Sequence, residues 1–248
     1  MPTYPDPAVL YPEVAAEGSL AAALQAVTVA QGLSVPVPVT ESSSLYRALV
    51  PTTVPHREEL EVSASYVERR WFVRGCERDQ SLALIEGDTL DLAQVARAAQ
   101  AWHDGVTLTD IPQVAPFVEL TGRFEVPDRD PTRLVESEWQ HLRKEAAEVN
   151  WPEYQALVEA AYTEPRLRHL YPFTSHWSLR FSTRTRPSLS CDVLVCLHTG
   201  RGKDYIVTMG YMGQDLGETD TAEEAVSLAV RHLPADLSPV TYGAAGSS

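Results

Sequence analysis

Residues 165–191 read PRLRHLYPFTSHWSLRFSTRTRPSLSC. The chain has 248 residues and a formal net charge of −14, yet this window holds no Asp or Glu. It carries Arg166, Arg168, Arg180, Arg184 and Arg186, with His169 and His176. From His176 onward the residues alternate as a strand requires, because successive side chains point to opposite faces. Trp177, Leu179, Phe181, Thr183 and Thr185 share a face suited to a core. His176, Ser178, Arg180, Ser182, Arg184 and Arg186 share a cationic one. The alternation predicts one strand over 176–185, entered through a Tyr171-Pro172 turn, and it makes the second half of the chain a sheet.

Working outward, LSCDVLVCLHT (189–199) and YIVTMGYM (205–212) predict two further strands joined by the turn GRGKDY. A helix follows over 221–233, opened by the capping box Thr221-x-x-Glu224. The tail after Pro239 reads as frayed. Upstream, two amphipathic helices are predicted over 131–149 and 152–162, each started by a proline that fits the first helical position. Before them, 117–126 reads as a strand interrupted at Gly122, with Glu119, Thr121, Arg123 and Glu125 on one face. The first half opens with a helix from Pro12 to about Gln31, in which Gly18 is a weak point and Ser19 an alternative N-cap. Strands are predicted at 45–50, 60–67, 69–75 and 81–87, then a helix over 91–103 capped by Thr89 or Asp91.

The two halves end alike. GDTLDLAQVARAAQAW (87–102) aligns without gaps to GETDTAEEAVSLAVRH (217–232), an offset of 130 residues. The expected class is therefore α+β: two tandem similar units of antiparallel sheet with flanking helices. The expected division is an N-terminal unit over 1–105, a connecting strand and helices over 106–165, and a C-terminal unit over 166–248. The competing reading is two unrelated α+β halves, because alanine-rich amphipathic helices resemble one another.

Composition narrows the function classes. No apolar run reaches the roughly 18–20 residues of a membrane span, and the N-terminus has no signal-peptide pattern, so a cytoplasmic protein is expected. The 34 acidic residues against 20 basic ones argue against nucleic acid or an anionic membrane as partner. Cys76, Cys191 and Cys196 make no CxxC pair, and three free thiols suit a reducing compartment. The seven histidines show no metal-ligand spacing, so neither a metal nor another cofactor is expected.

The cationic ladder is the candidate site. Arginine grips carboxylate or phosphate with a planar fork, and arginines in a row repel unless an anion sits among them. His176 is the candidate acid or base, since its charge changes near neutral pH. Arg180, Arg184 and Ser178 are candidate ligand-binding residues, with Arg123 as a neighbour from the 117–126 strand. The competing reading is a solvated sheet face whose arginines pair with the protein's acids. Tryptophans 71, 102, 139, 151 and 177 are expected in cores or between elements.

Six segments carry a resemblance: LYPEVAAEGSLAAALQA (10–26), ARAAQAWHDG (96–105), APFVELTGRFEVPD (115–128), ESEWQHLRKEA (136–146), LYPFTSHWSLRFSTRTRP (170–187) and the closing helix through RHLP. The chain resembles an uncharacterised bacterial family of natural-product biosynthesis proteins with a domain of unknown function. The resemblance implies a setting and no reaction. The expected function is an accessory protein of natural-product assembly, in ribosomal-peptide or other pathways, that binds an anionic or peptidic intermediate or a partner enzyme. Two alternatives stay open: a cofactor-independent tailoring enzyme with a His/Arg site, and an immunity or chaperone-like binding module.

Overall fold

A computed structural model of the chain describes residues 5–40, 43–190, 194–200, 202 and 204–244. These divide into two compact units, residues 1–121 and 122–248. Both combine helices with a five-stranded antiparallel sheet, so the chain is α+β. The segment expected to connect the two is shared between them: residues 106–121 belong to the first unit, and the helices that follow belong to the second.

The first unit runs α1 (Pro7–Leu10), α2 (Pro12–Glu17), α3 (Leu20–Ala30), β1 (Arg47–Val50), β2 (Leu60–Ala64), β3 (Trp71–Cys76), β4 (Ala83–Thr89), α4 (Leu92–His103), α5 (Ile111–Val114) and β5 (Val118–Leu120). The single helix expected from Pro12 is broken. Gly18 takes a left-handed φ of 81°, and the Ser19 hydroxyl restarts the helix by accepting from Ala22 N–H. Such a cap contributes about 1 kcal/mol. The strands form a meander in the order β1-β2-β3-β4-β5. Helices α3 and α4 pack together over the face carrying Val62, Val73 and Ile85. Trp71 and Trp102 are fully buried in that core. The strand expected over 117–126 shrinks to β5: Thr121 N still donates to Leu84 O at 3.1 Å, and Gly122 then takes a φ of 92°, which turns the chain out of the strand.

The second unit runs α6 (Pro131–Glu148), α7 (Pro152–Thr163), α8 (Pro165–Arg168), β6 (Tyr171–Ser175), β7 (Ser178–Ser182), β8 (Arg184–Pro187), β9 (Val195–Thr199), β10 (Tyr205–Met209), β11 (Gln214–Thr219), α9 (Ala222–His232) and β12 (Thr241–Gly243). Its sheet has the order β11-β10-β9-β7-β6. Helices α7 and α9 pack together on the face carrying Leu179, Leu197 and Val207. Within the tail expected to fray, Thr241–Gly243 forms β12, whose extended backbone pairs parallel with β8.

The aligned segments of the two halves fall on the same local structure. Strands β4 and β11 end at Thr89 and Thr219, and helices α4 and α9 start at Leu92 and Ala222. Asp91 and Thr221 cap them through their side chains. Cys76 and Cys196 are buried and form no disulfide among the described residues; Cys191 lies outside the described residues.

Candidate functional site

The expected continuous strand over 176–185 is three pieces. His176 and Trp177 take φ of 52° and 63° and form the two-residue turn of the β6–β7 hairpin. At the other end, Ser182 Oγ donates to Arg184 O at 2.6 Å and accepts from Arg184 N at 3.0 Å. Those bonds turn the chain out of the sheet, and Arg184 sits exposed on β8 beside β12. The ladder is therefore only Ser178, Arg180 and Ser182. Trp177, expected in the core, is 45% exposed, with its ring 6.0 Å from Trp151 and 5.4 Å from Tyr154. Leu179 and Phe181 are buried on the helix-covered face, as the alternation requires.

Arg123 does not join the ladder residues. Its Nε and Nη2 donate to Glu138 Oε2 and Oε1 at 2.7 and 3.0 Å, a bidentate pair in which both side chains are about nine-tenths buried. Gly122 and Arg123 belong to the second unit, so the row Glu119–Thr121–Arg123–Glu125 on one strand face does not form.

Antiparallel pairing sets what stands beside the three remaining ladder residues. Arg180 is opposite Phe173 on β6 and Cys196 on β9, and Cys196 is opposite Thr208 on β10. Cross-strand partners share a face, so Ser178, Arg180, Ser182, Phe173, Cys196, His198 and Thr208 all look away from α7 and α9. Ser178, Ser182 and Cys196 are buried, while Arg180, His198, Thr208 and Phe173 are half-buried. The turn after β10 brings Tyr211 over this face. The Arg180 Cζ lies 4.9 Å from the Phe173 ring centroid and 5.2 Å from that of Tyr211. His176 stacks on Tyr211 at 6.2 Å and meets Ser175 Oγ at 3.2 Å. Among the described residues, no carboxylate lies within ion-pair distance of Arg180.

A hydrogen-bond relay runs under Arg180. Thr208 Oγ1 donates to Gly210 O at 2.7 Å, so its lone pairs accept from His198 Nε2–H at 3.1 Å. That fixes the proton of a neutral His198 on Nε2 and leaves Nδ1 to accept from Ser178 Oγ–H at 2.7 Å. Burial, and then the Arg180 charge, hold His198 below its ordinary pKa, which favours the neutral ring the relay needs. Burial pushes the Cys196 thiol up to about 11, against smaller opposing effects of Arg180, Thr208 and Ser178. Cys196 is therefore a protonated, inert wall. The arrangement offers a cation between two aromatic faces and a hydroxyl whose proton points at an imidazole.

Phe173, His198, Thr208 and Tyr211 are members of this cluster that the arginine pattern alone does not find. The alternation V-C-L-H in β9 already separates Cys196 and His198 from Val195 and Leu197. The register that sets them against Ser178 and Arg180 is a tertiary fact.

No curated protein and no solved structure matches the chain. Residues 133–244, which include every member of the cluster around Arg180, match the model of a family described as a family of unknown function (DUF6193).

Proposed function

We propose that the second unit is a binding module for a small organic anion, with Arg180 as its anchor. One observation carries this reading. In a chain with an excess of acid, the half-buried Arg180 has aromatic neighbours and no carboxylate partner among the described residues. A guanidinium stacked on rings keeps its in-plane N–H groups for an incoming carboxylate or phosphate. Phe173 and Tyr211 would flank an aromatic or planar body, and His176 would close one end. The setting proposed for this binding is natural-product assembly, as an accessory protein; it rests on the resemblance of segments such as LYPFTSHWSLRFSTRTRP (170–187).

The test is titration of the full chain with benzoate, phosphate and benzyl alcohol, followed by melting temperature and by amide and side-chain NMR shifts. Saturable binding of an anion, lost in Arg180→Ala and weakened at least tenfold in Arg180→Lys, supports the reading. An Arg180→Ala protein that binds the same anions with unchanged affinity sinks it. Asp192, the first acid in the sequence after Glu164, lies outside the described residues; Asp192→Asn should leave binding intact or tighten it.

The Ser178–His198 bond favours a second reading, a cofactor-independent hydrolase in which Ser178 Oγ attacks an ester carbonyl, His198 Nδ1 takes its proton and returns it to the departing alcohol, and water then cleaves the acyl group from Ser178. A fluorophosphonate probe that labels Ser178, and fails to label Ser178→Ala, would select this reading. The candidate catalytic role then moves from His176, which lies in the turn, to His198.

A further inference from the structure

We infer a second ligand site in the second unit: a groove of about 680 Å³ that takes an amphipathic organic anion. It lies between α6, α8 and the segment 235–240, separate in its lining residues from the Arg180 cluster. The volume lies within the range of small-molecule pockets, roughly 300–1,000 Å³.

The groove's chemistry is asymmetric. Val135, Leu170, Leu237 and Val240 supply apolar wall, and Pro165 and Pro239 extend it. The charged lining groups are Glu136, Arg166 and Arg168, with the His169 ring beside them. Glu136 is already engaged, accepting from Arg168 Nη2 at 3.2 Å, Tyr162 Oη at 3.0 Å and Gln140 Nε2 at 3.2 Å. These bonds outweigh its burial and hold its pKa below the ordinary value. Arg168 is thereby neutralised. Arg166 is not: its Nη1 donates to Val230 O, and its Nη2 to Leu233 O and Pro234 O, at 3.1, 3.4 and 2.7 Å. Three of its five N–H groups face backbone carbonyls. The remaining two and the whole positive charge have no carboxylate partner among the described residues. A fixed cation in the lining of a largely apolar groove complements a molecule with one anionic head and an apolar body.

The groove's outer wall is tethered at both ends. Arg166 holds the carbonyls where α9 ends, and β12 joins β8 immediately after Val240. A wall held this way keeps its shape without ligand, which lowers the ordering cost of binding.

Sodium octanoate, below its micelle concentration, is the probe, with octanol and acetate as controls that keep one half of its chemistry each. The full chain should bind octanoate saturably, with NMR shifts at Val135, Leu170 and Leu237, at least tenfold tighter than either control. Ser238→Trp, at an exposed lining position, should weaken octanoate at least tenfold with its melting temperature kept; Leu237→Trp should do the same from the wall. Because the Arg180 cluster can take a carboxylate too, the groove is read by its own residues: the octanoate shifts at Val135, Leu170 and Leu237 should persist in Arg180→Ala. Equal shifts at Val135, Leu170 and Leu237 with octanol and octanoate, octanoate shifts there that survive both tryptophan variants, or no saturable shift at these residues would each overturn the inference.

Discussion

The two sheets expose faces of opposite character. In the first unit, the face away from α3 and α4 carries Arg47, Leu49, Glu61, Ser63, Phe72, Arg74, Glu86 and Asp88 in cross-strand register. Several of its charges are paired: Arg47 meets Glu61 at 2.9 Å, and Asp88 meets Arg70 at 2.6 Å, while the exposed Arg74 donates to Ser81 O. Arg47, Leu49, Phe72, Arg74, Glu86 and Asp88 are exposed. This is the solvated, partly ion-paired surface that an antiparallel sheet ordinarily turns to water. The corresponding face of the second unit buries Ser178, Ser182 and Cys196 and sets a cation among aromatic rings. Similar meanders thus serve different ends. What separates them is the turn after β10, which brings Tyr211 over one sheet, and whether the arginines find carboxylates.

Arginine pairing gives the largest test of that contrast. Glu138→Gln takes the bidentate carboxylate from the buried Arg123 guanidinium, and should cost about 3–5 kcal/mol in chemical denaturation. Glu61→Gln breaks the exposed pair with Arg47 and should cost less than about 1 kcal/mol. A loss at Glu138 no larger than that at Glu61 would show that the buried pair contributes no more than an exposed one.

Glycines 87 and 217, aligned in sequence, provide a smaller one. A Cβ on Gly87 would lie 2.3 Å from Phe117 O, because β5 runs beside β4. Strand β11 is an edge with no such neighbour, and Gly217 instead takes a φ of 141° at the bulge in its pairing with β10. Gly87→Ala should cost about 3 kcal/mol as overpacking, with faster amide exchange at 118–120. Gly217→Ala should cost about 1 kcal/mol as backbone strain, with exchange in β9 unchanged.

The smallest expected effect is the pH dependence of His198. Its folded pKa is lowered, so between that value and the ordinary 6.5 the unfolded chain binds the proton and the folded chain does not. The His198 contribution to stability is complete above 6.5 and is lost as pH falls through the folded value. Melting temperature should therefore drop from pH 7.5 to 5.5, and less steeply in His198→Gln. In Arg180→Ala the imidazole NMR titration should move up toward 6.5. No counterpart is expected on the first sheet's outward face, where no histidine stands in the strands.

The failed parts of the strand reading have local causes. Nothing in Ser-His-Trp-Ser marks a turn: neither Gly nor Asn supplies the positive φ that His176 and Trp177 adopt. Alternation alone runs through it, and it runs on past Ser182, where a buried hydroxyl bends the chain. Between those two points the alternation was sound, with Leu179 and Phe181 inward and Ser178 and Arg180 outward. The caps at Ser19, Asp91 and Thr221 were legible because a side chain and the N–H two or three residues ahead are local partners.

By itself the sequence determined the α+β class, most helix positions, the strand–turn–helix junctions near 89 and 219, and the candidacy of Ser178 and Arg180. Those follow from periodicity and capping, which act over a few residues. Only the tertiary structure decided that Arg123 is spent on Glu138, that Arg184 leaves the sheet, that the tail pairs with β8, and that His198, Thr208 and Tyr211 surround Arg180. Each of these depends on cross-strand register or on packing between residues far apart in the chain. Composition carries neither, because the same charges can pair, repel or wait for a ligand according to which side chains the fold sets beside them.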